Sequence, residues 1–181
     1  MTILKIDSSI TGDVSVSRQL TGAITDQLVS QNLDQRVVQR DLVATPLAHF
    51  TLGGSGDADI LAEFMDADTI VVGAPMYNFT VPSQLKAWID RILVAGTTFQ
   101  YSAEGKPEGL VGDKRVIVAI SRGGFYDDGN AFEHVKSYLQ AAFGFIGIVP
   151  EFVHADGIAV GPEQRDAGIA NGLLEVERLA A

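Results

Sequence analysis

Serine hydroxyls are concentrated in a short segment near the N-terminus, residues 8–18, which precedes a run with helical periodicity. Ser9, Ser15 and Ser17 lie in this segment. Free backbone N–H groups at a helix start attract an anion, and serine hydroxyls add further donors. We therefore expect a phosphate group to bind here, with Arg18 as a source of positive charge. The alternative is that Ser15 or Ser17 only caps the helix.

A second segment, residues 74–82, places Tyr77, Asn78 and Phe79 between two prolines, after the most apolar strand-like run in the chain. A flat aromatic ligand packs against apolar side chains and uses amide groups along its polar edge. The composition of this segment predicts such a ligand, with the Asn78 amide at its edge. Alternatively, Met76 and Phe79 form a hydrophobic staple inside the core.

A third segment, residues 121–126, contains the pair Gly123 and Gly124 at the end of another strand-like run. Glycine lets a backbone approach a ligand closely, because no Cβ stands in the way. The pair therefore fits a loop that contacts the edge of a ligand. An ordinary turn at the end of a strand is the alternative.

Several kinds of catalytic site are excluded by residue type. The chain has no cysteine, and its three histidines, His49, His134 and His154, are far apart and lack metal-ligand spacing. We expect no metal site, and no serine or acid stands in a recognisable nucleophile–base arrangement. A phosphate-binding segment and a flat-ligand segment without acid–base machinery indicate a bound redox cofactor that carries the chemistry itself.

Apolar runs rich in β-branched residues alternate with helical segments along the whole chain. The predicted strands cover residues 3–7, 36–40, 69–73, 115–121 and 146–152. The predicted helices cover residues 16–30, 57–65, 130–143 and 163–179, and a further helix begins at Pro82. A flexible loop is expected at residues 53–56. This alternation predicts one three-layer α/β domain over residues 1–181, with a five-stranded parallel sheet in the flavodoxin-like order 2-1-3-4-5. The three segments above then share the carboxyl edge of the sheet, where such folds bind ligands.

Composition limits the classes of partner. The 181 residues are 46% hydrophobic and 20% charged, which is globular composition, and the net charge of −10 disfavours nucleic acid and anionic membrane surfaces. Residues 1–7 lack the basic and apolar regions of a signal peptide, and no apolar run is long enough to cross a membrane. We therefore expect a cytoplasmic protein.

Taken together, these motifs resemble the FMN-dependent NADH-azoreductase family, flavodoxin-like reductases of quinones and azo dyes. The resemblance covers nearly the whole chain and rests on the serine segment, residues 75–79, 82–86, 95–101, 109–111, Lys114, and residues 121–124, 138–139 and 143–147.

The resemblance implies FMN as cofactor, with NADH or NADPH as co-substrate. It implies that the FMN phosphate lies on Ser9, Ser15, Val16 and Ser17. It implies that the flavin ring lies against Pro75, Met76, Tyr77, Asn78 and Phe79, with its other edge near Ser121, Arg122, Gly123 and Gly124.

The resemblance also implies a homodimer with both active sites at the subunit interface. The substrate pocket would then be lined by Phe79, Tyr101, Phe143 and Phe145. Residues 143–149 are apolar enough to form part of that interface, although a buried strand is the alternative. Residues 45–59 are short for the family and contain no Lys or Arg, which leaves the choice between NADH and NADPH and the width of the pocket open.

The implied reaction is a two-electron transfer from NADH or NADPH to quinones and azo compounds, with reductive cleavage of the azo bond. It follows a ping-pong order and needs no catalytic side chain, because the flavin carries the hydride. Two other functions fit the same residues. One is a flavodoxin-type electron carrier, whose acidic surface would dock basic partners. The other is a flavin-binding sensor without turnover.

Overall fold

A computed structural model of the chain describes residues 1–51, 58–127 and 129–179. The strands within these ranges are β1 (Thr2–Asp7), β2 (Arg36–Asp41), β3 (Thr69–Pro75), β4 (Phe99–Tyr101), β5 (Pro107–Gly109), β6 (Arg115–Ser121) and β7 (Glu151–Ala155). Five of them form a parallel sheet in the order β2-β1-β3-β6-β7, and β4 and β5 pair separately as an antiparallel hairpin. Because the hairpin lies outside the sheet, this is the predicted order 2-1-3-4-5, which is confirmed.

Helices cover both faces of the sheet and give the three predicted layers. They are α1 (Val16–Gln31), α2 (Ala58–Asp66), α3 (Ser83–Ile92), α4 (Val135–Phe145) and α5 (Pro162–Arg178). One apolar core, which includes Phe64, Trp88 and Leu139, joins the sheet to α2, α3 and α4. A second core, which includes Leu20 and Val176, joins the opposite face to α1 and α5. The central strand β3 is buried on both faces from Ile70 onward, as a parallel strand between two helical layers must be.

The segment around α4 differs from the prediction at both ends. The helix begins at Val135 instead of residue 130, because the Glu133 carboxylate accepts the amide hydrogens of Val135 and Lys136 and so caps the helix there. The fifth strand of the sheet begins at residue 151 instead of residue 146. Ile146 and Ile148 resemble strand residues in type, but both close the end of α4 by donating to the Phe143 carbonyl.

The β4–β5 hairpin was not predicted from the sequence. It packs against the turn that follows α4, where a Cβ on Gly109 would collide with the backbone of Ile146 and Gly147. Val111 N–H also donates to the Ile146 carbonyl at 3.3 Å. These contacts fix the hairpin beside the end of α4.

The remaining predicted elements are observed within two residues of their predicted starts. The loop predicted at residues 53–56 lies outside the described residues. Among the helices in the described ranges, none is long and apolar enough to cross a membrane.

Candidate active site

Loops from four strand ends surround a cavity of about 520 Å³ at the carboxyl edge of the sheet. This volume lies in the range of about 300–1,000 Å³ that is typical of small-molecule sites. The three segments singled out in the sequence meet here, and the loop after β7 is the fourth. The predicted residues that line the cavity are Ser9, Ser15, Val16, Pro75, Met76, Tyr77, Ser121, Arg122 and Gly123.

The serine segment forms the start of α1. Ser15 is the N-cap, and its Oγ accepts the Arg18 amide hydrogen at 3.3 Å, so the capping alternative is observed. Ser17 is buried behind the cavity wall, with its Oγ 3.1 Å from that of Ser15. Within the residues that the structure describes, the amides of Val16 and Ser17 donate to no protein atom. Two unpaired amides beside two buried hydroxyls form a site that fits a phosphate group.

The predicted role of Arg18 as a phosphate partner is not what the structure shows. Its guanidinium binds the Asp41 carboxylate through two hydrogen bonds, of 2.6 and 2.9 Å. The Arg18 hydrogen bond lowers the pKa of Asp41 from 3.8 to about 2. Arg18 also donates to the Ser9 carbonyl at 3.0 Å. The side chain therefore fixes the serine segment to the end of β2 instead of facing the cavity.

Tyr77 joins the loop after β3 to the serine segment. Its hydroxyl shares a hydrogen bond of 3.1 Å with Ser9 Oγ and accepts the Ile10 amide hydrogen at 3.2 Å. Ser9 Oγ also contacts Thr11 Oγ1 at 3.0 Å. The phosphate end of the cavity and the predicted ring-binding loop are thus held together by side-chain hydrogen bonds.

Residues 77–80 form a tight turn in which Tyr77 and Thr80 exchange backbone hydrogen bonds of 3.0 and 3.1 Å. Asn78 and Phe79 occupy its centre with φ values of +46° and +74°. Such left-handed geometry is tolerated by asparagine but is unusual for a bulky aromatic residue. Strained backbone of this kind is concentrated at ligand sites, where the surrounding structure maintains it.

Neither central residue of this turn lines the 520 Å³ cavity. Asn78 lines a neighbouring cavity of about 640 Å³ on the other side of Tyr77. The Phe79 ring is 50% exposed and lies 5.5 Å from the Phe132 ring, so the core position of the staple alternative is not observed for it. Met76 does pack partly against the core. The Phe79 carbonyl accepts the His134 amide hydrogen, which anchors the turn next to α4.

Gly123 lines the opposite wall, and Gly124 follows it in the same loop. Gly123 and Gly124 carbonyls accept hydrogen bonds from Ala159 and Gly157, which join this loop to the loop after β7. A Cβ on Gly123 would lie 3.3 Å from the Ala159 Cβ. In the described part of the chain, the amides of Gly123 and Gly124 donate to no protein atom, so two donors remain for a ligand edge. Gly124 itself lies outside the cavity lining.

Arg122, between these glycines and β6, is 6% exposed. It binds the Asp156 carboxylate through hydrogen bonds of 2.6 and 2.7 Å, and Glu133 lies 3.9 Å away. Arg122 therefore connects the ends of β6 and β7 while one side of it lines the cavity.

The aromatic residues expected in a substrate pocket are divided between surface and core. Tyr101 is 60% exposed, and its ring centre lies 6.3 Å from that of Phe145. Phe99, which the sequence reading did not single out, lies between them at 5.9 and 4.6 Å. Phe143 is 1% exposed and belongs to the core beneath α4, so the expectation that it lines the pocket is corrected. Its side chain faces the sheet because it shares the buried stripe of α4 with Leu139.

The sequence reading missed the contribution of the C-terminal part of the chain. Ile158, Ala159 and Arg165 line the cavity, and Arg165 donates to the Val14 carbonyl at 3.0 Å. The topology of the sheet predicts this contribution. In a parallel sheet the loop after the last strand reaches the same edge as the loops after the other strands, so residues after β7 can also line the cavity.

Comparison with known proteins gives a consistent assignment. The family model of the flavodoxin-like fold matches residues 1–179. FMN-dependent NADH:quinone oxidoreductase 2 of Bradyrhizobium diazoefficiens is 52% identical over 204 positions that cover 100% of both chains. FMN-dependent NADH:quinone oxidoreductase of Xanthomonas campestris pv. campestris is 45% identical, with 99% of each chain covered. The first alignment is longer than the 181 residues of this chain, so that relative contains insertions that this chain lacks.

Solved structures show the same likeness. An azoreductase from Bacillus anthracis str. Sterne superposes with a TM-score of 0.88 at 28% identity, covering 99% of this chain and 98% of its own. An FMN-dependent NADH-azoreductase from Bacillus anthracis str. Ames Ancestor, solved in complex with FMN, gives a TM-score of 0.82 at 25% identity and 99% coverage of both chains. The family model over residues 1–179 and the 52% identity over the full length of a relative agree with the matching structures, and the chain belongs to the family of flavodoxin-like FMN-dependent NADH:quinone oxidoreductases and azoreductases.

Proposed function

We propose that this protein holds FMN in the 520 Å³ cavity and transfers electrons from NADH, two in each catalytic cycle, to quinones and azo compounds. One cycle would reduce a quinone to a hydroquinone, whereas reductive cleavage of an azo bond to two amines takes four electrons and therefore two cycles. The observation that carries the proposal is the pairing of a phosphate site with a glycine wall across one cavity. The relatives' names, which specify FMN, NADH and quinone, support the same activity.

The phosphate end would be formed by the amides of Val16 and Ser17 and the hydroxyls of Ser9, Ser15 and Ser17. These groups donate hydrogen bonds to an anion at the positive end of the α1 dipole. At the opposite wall, the amides of Gly123 and Gly124 would donate to the polar edge of the flavin ring. Tyr77 and Met76 would pack against the ring itself. We propose that Asn78 and Phe79, at the centre of the adjoining turn, also contact the ring, with the Asn78 amide facing it.

FMN, when bound, supplies the hydride acceptor and the two-electron donor. Among the described residues that line the cavity there is no histidine or carboxylate, so protons would come from solvent. The chain's own contribution is to orient stacked rings and to exclude water from one side of them. Because the same open face serves both substrates, we propose a ping-pong order in which the oxidised nicotinamide leaves before the acceptor binds.

A homodimer would complete the substrate side of the site. Tyr101 on the hairpin, Leu110 directly after it and Val149 after α4 are 60%, 43% and 90% exposed. The hairpin and this turn are in contact, so the exposed apolar side chains lie on adjoining elements. We propose that a second copy of the chain covers them and that Tyr101 and Phe145 then border the pocket. The donor NADH is a cytoplasmic metabolite, which favours a cytoplasmic location.

The test follows the visible spectrum of the purified protein during anaerobic addition of NADH and then of a quinone. A flavin spectrum that bleaches with NADH and recovers with quinone is expected, together with a light-scattering mass of twice one chain. A flavin spectrum that NADH leaves unchanged, with a monomeric mass, would favour the electron carrier. Bleaching without recovery would favour the sensor, and a colourless protein that takes up no added FMN would refute the proposal.

A substitution tests the glycine wall separately. In Gly123→Ala, the new Cβ meets Ala159 and displaces the loop that carries the two free amides. Loss of about one hydrogen bond predicts roughly fivefold weaker FMN binding, measured by quenching of FMN fluorescence. Gly22→Ala on α1 is the matched control, because nothing lies within 4 Å of its Cβ. Equal FMN affinities of the two variants would remove the glycine wall from the binding site.

A further inference from the structure

Two arginines lie next to the phosphate end of the cavity, and their surroundings differ. Arg18 is held by Asp41 through both terminal nitrogens and lies within 4.0 Å of Asp7. Its charge is therefore neutralised by carboxylates. Arg165 comes from the first turns of α5, far along the chain, and lines the cavity together with Ser9 and Ser15.

Arg165 is half-buried, and its Nη2 donates to the Val14 carbonyl at 3.0 Å. Val14 immediately precedes Ser15, the N-cap of α1, so the guanidinium is anchored next to the helix start that carries the two free amides. Within the described ranges Arg165 forms no ion pair. The Val14 contact uses one N–H of the five that a guanidinium carries, and the others remain available for a second acceptor.

We propose that Arg165 is the cationic partner of the FMN phosphate in this chain. The inference rests on the proposed FMN site and goes beyond it, because it assigns the charge of that site to α5 instead of the serine segment. A phosphate with close to two negative charges enters a protein of net charge −10, so a local positive charge would strengthen its binding beyond what the amides provide. A planar guanidinium fixed at one end by a carbonyl can offer a phosphate two parallel N–H donors.

A purely structural role for Arg165 is the competing explanation, in which the side chain only holds the Val14 carbonyl. The two explanations predict different effects of an Arg165 substitution on the binding of FMN and of riboflavin. Riboflavin has the flavin ring of FMN but no phosphate. Loss of a phosphate contact weakens FMN binding and leaves riboflavin binding unchanged, whereas a distorted loop weakens both.

The experiment titrates FMN-free protein with FMN and with riboflavin and follows the quenching of flavin fluorescence. In Arg165→Gln, loss of a charge-assisted hydrogen bond predicts roughly tenfold to hundredfold weaker FMN binding. Riboflavin affinity is expected to stay within about twofold, because the ring contacts are unchanged. Arg178→Gln is the matched control: it removes the same charge from the exposed end of the same helix and is expected to change neither affinity.

Salt dependence provides a second measurement that does not need riboflavin to bind. Added salt should narrow the difference in FMN affinity between wild type and Arg165→Gln, because the attraction that it screens is present only in the wild type. Arg165→Lys should restore part of the FMN affinity and its salt dependence.

Two results would overturn the inference: an unchanged FMN affinity in Arg165→Gln, or equal losses for FMN and riboflavin with unchanged salt dependence. Failure of the proposed function has a different signature, because wild-type protein would then bind no FMN in the same titration.

Discussion

The turn at residues 77–80 provides a direct test of stored backbone strain. Phe79 has a φ of +74°, in the left-handed region that costs a residue with a Cβ about 1–2 kcal/mol. The informative comparison is between Phe79→Gly and Phe79→Ala. Both variants lose the ring and its 5.5 Å contact with Phe132, so this loss cancels in the difference between them.

The expected difference follows from two opposing effects. Alanine retains the left-handed penalty of about 1–2 kcal/mol, whereas glycine does not. Glycine loses more chain entropy on folding, about 0.5–1 kcal/mol relative to alanine. Phe79→Gly should therefore be the more stable variant by roughly 0.5–1 kcal/mol, which corresponds to a melting temperature roughly 1–4 °C higher in a chain of this size.

The measurement is thermal and urea unfolding of both variants, each without FMN. A control pair at Asp26, an exposed position inside α1, should give the opposite order, because alanine there is favoured over glycine by about 1 kcal/mol. If Phe79→Ala proves as stable as Phe79→Gly or more so, the turn is not strained at this position. The protein would then hold the Phe79 backbone at no cost in conformational energy.

Two further predictions concern the Arg18–Asp41 pair and the amide of Asn78. Because the Arg18 hydrogen bond lowers the pKa of Asp41 to about 2, the stability that this pair contributes is present above about pH 4 and is lost as the pH falls towards 2. Asp41→Asn should therefore lower the free energy of unfolding at pH 7 by about 1 kcal/mol, after allowance for solvent screening. Urea unfolding should show that this loss of stability becomes smaller below about pH 4. A loss that does not change with pH would contradict the assignment. Asn78→Leu removes a side-chain amide proposed to face the flavin, so less FMN should remain after gel filtration, and unchanged occupancy would count against that contact.

The sheet and most helices follow from periodicity because each element carries its own pattern. The run from Ile70 onward is apolar without interruption, which is typical of a strand between two helical layers. The predictions of element boundaries are wrong where a residue type is common both in strands and in the turns that end helices. Ile146 and Ile148 are good strand residues, but Gly147 between them adopts a φ of +95° and ends α4, and the core then takes both side chains.

Within the candidate site, local features were predictable and distant contacts were not. The role of Ser15 as the N-cap of α1 follows from residues that are neighbours in sequence. The pairing of Arg18 with Asp41 depends on strand β2 lying next to β1, and the Arg165 contact with Val14 spans 151 positions. The sequence shows that a charged residue is present, whereas the partner of that residue depends on which elements the topology of the sheet brings together.

These distant contacts explain how the serine segment can bind an anion without a lysine. A free carbonyl oxygen near a phosphate would repel it, and two carbonyls of the serine segment accept hydrogen bonds from arginines: Ser9 from Arg18 and Val14 from Arg165. The Ser9 hydroxyl is fixed separately by Tyr77. With carbonyls held by side chains, the unpaired amides at the start of α1 remain as donors for the phosphate that we propose to bind there. Such a loop is already ordered before the ligand arrives, and binding then loses less conformational entropy than it would with a mobile loop.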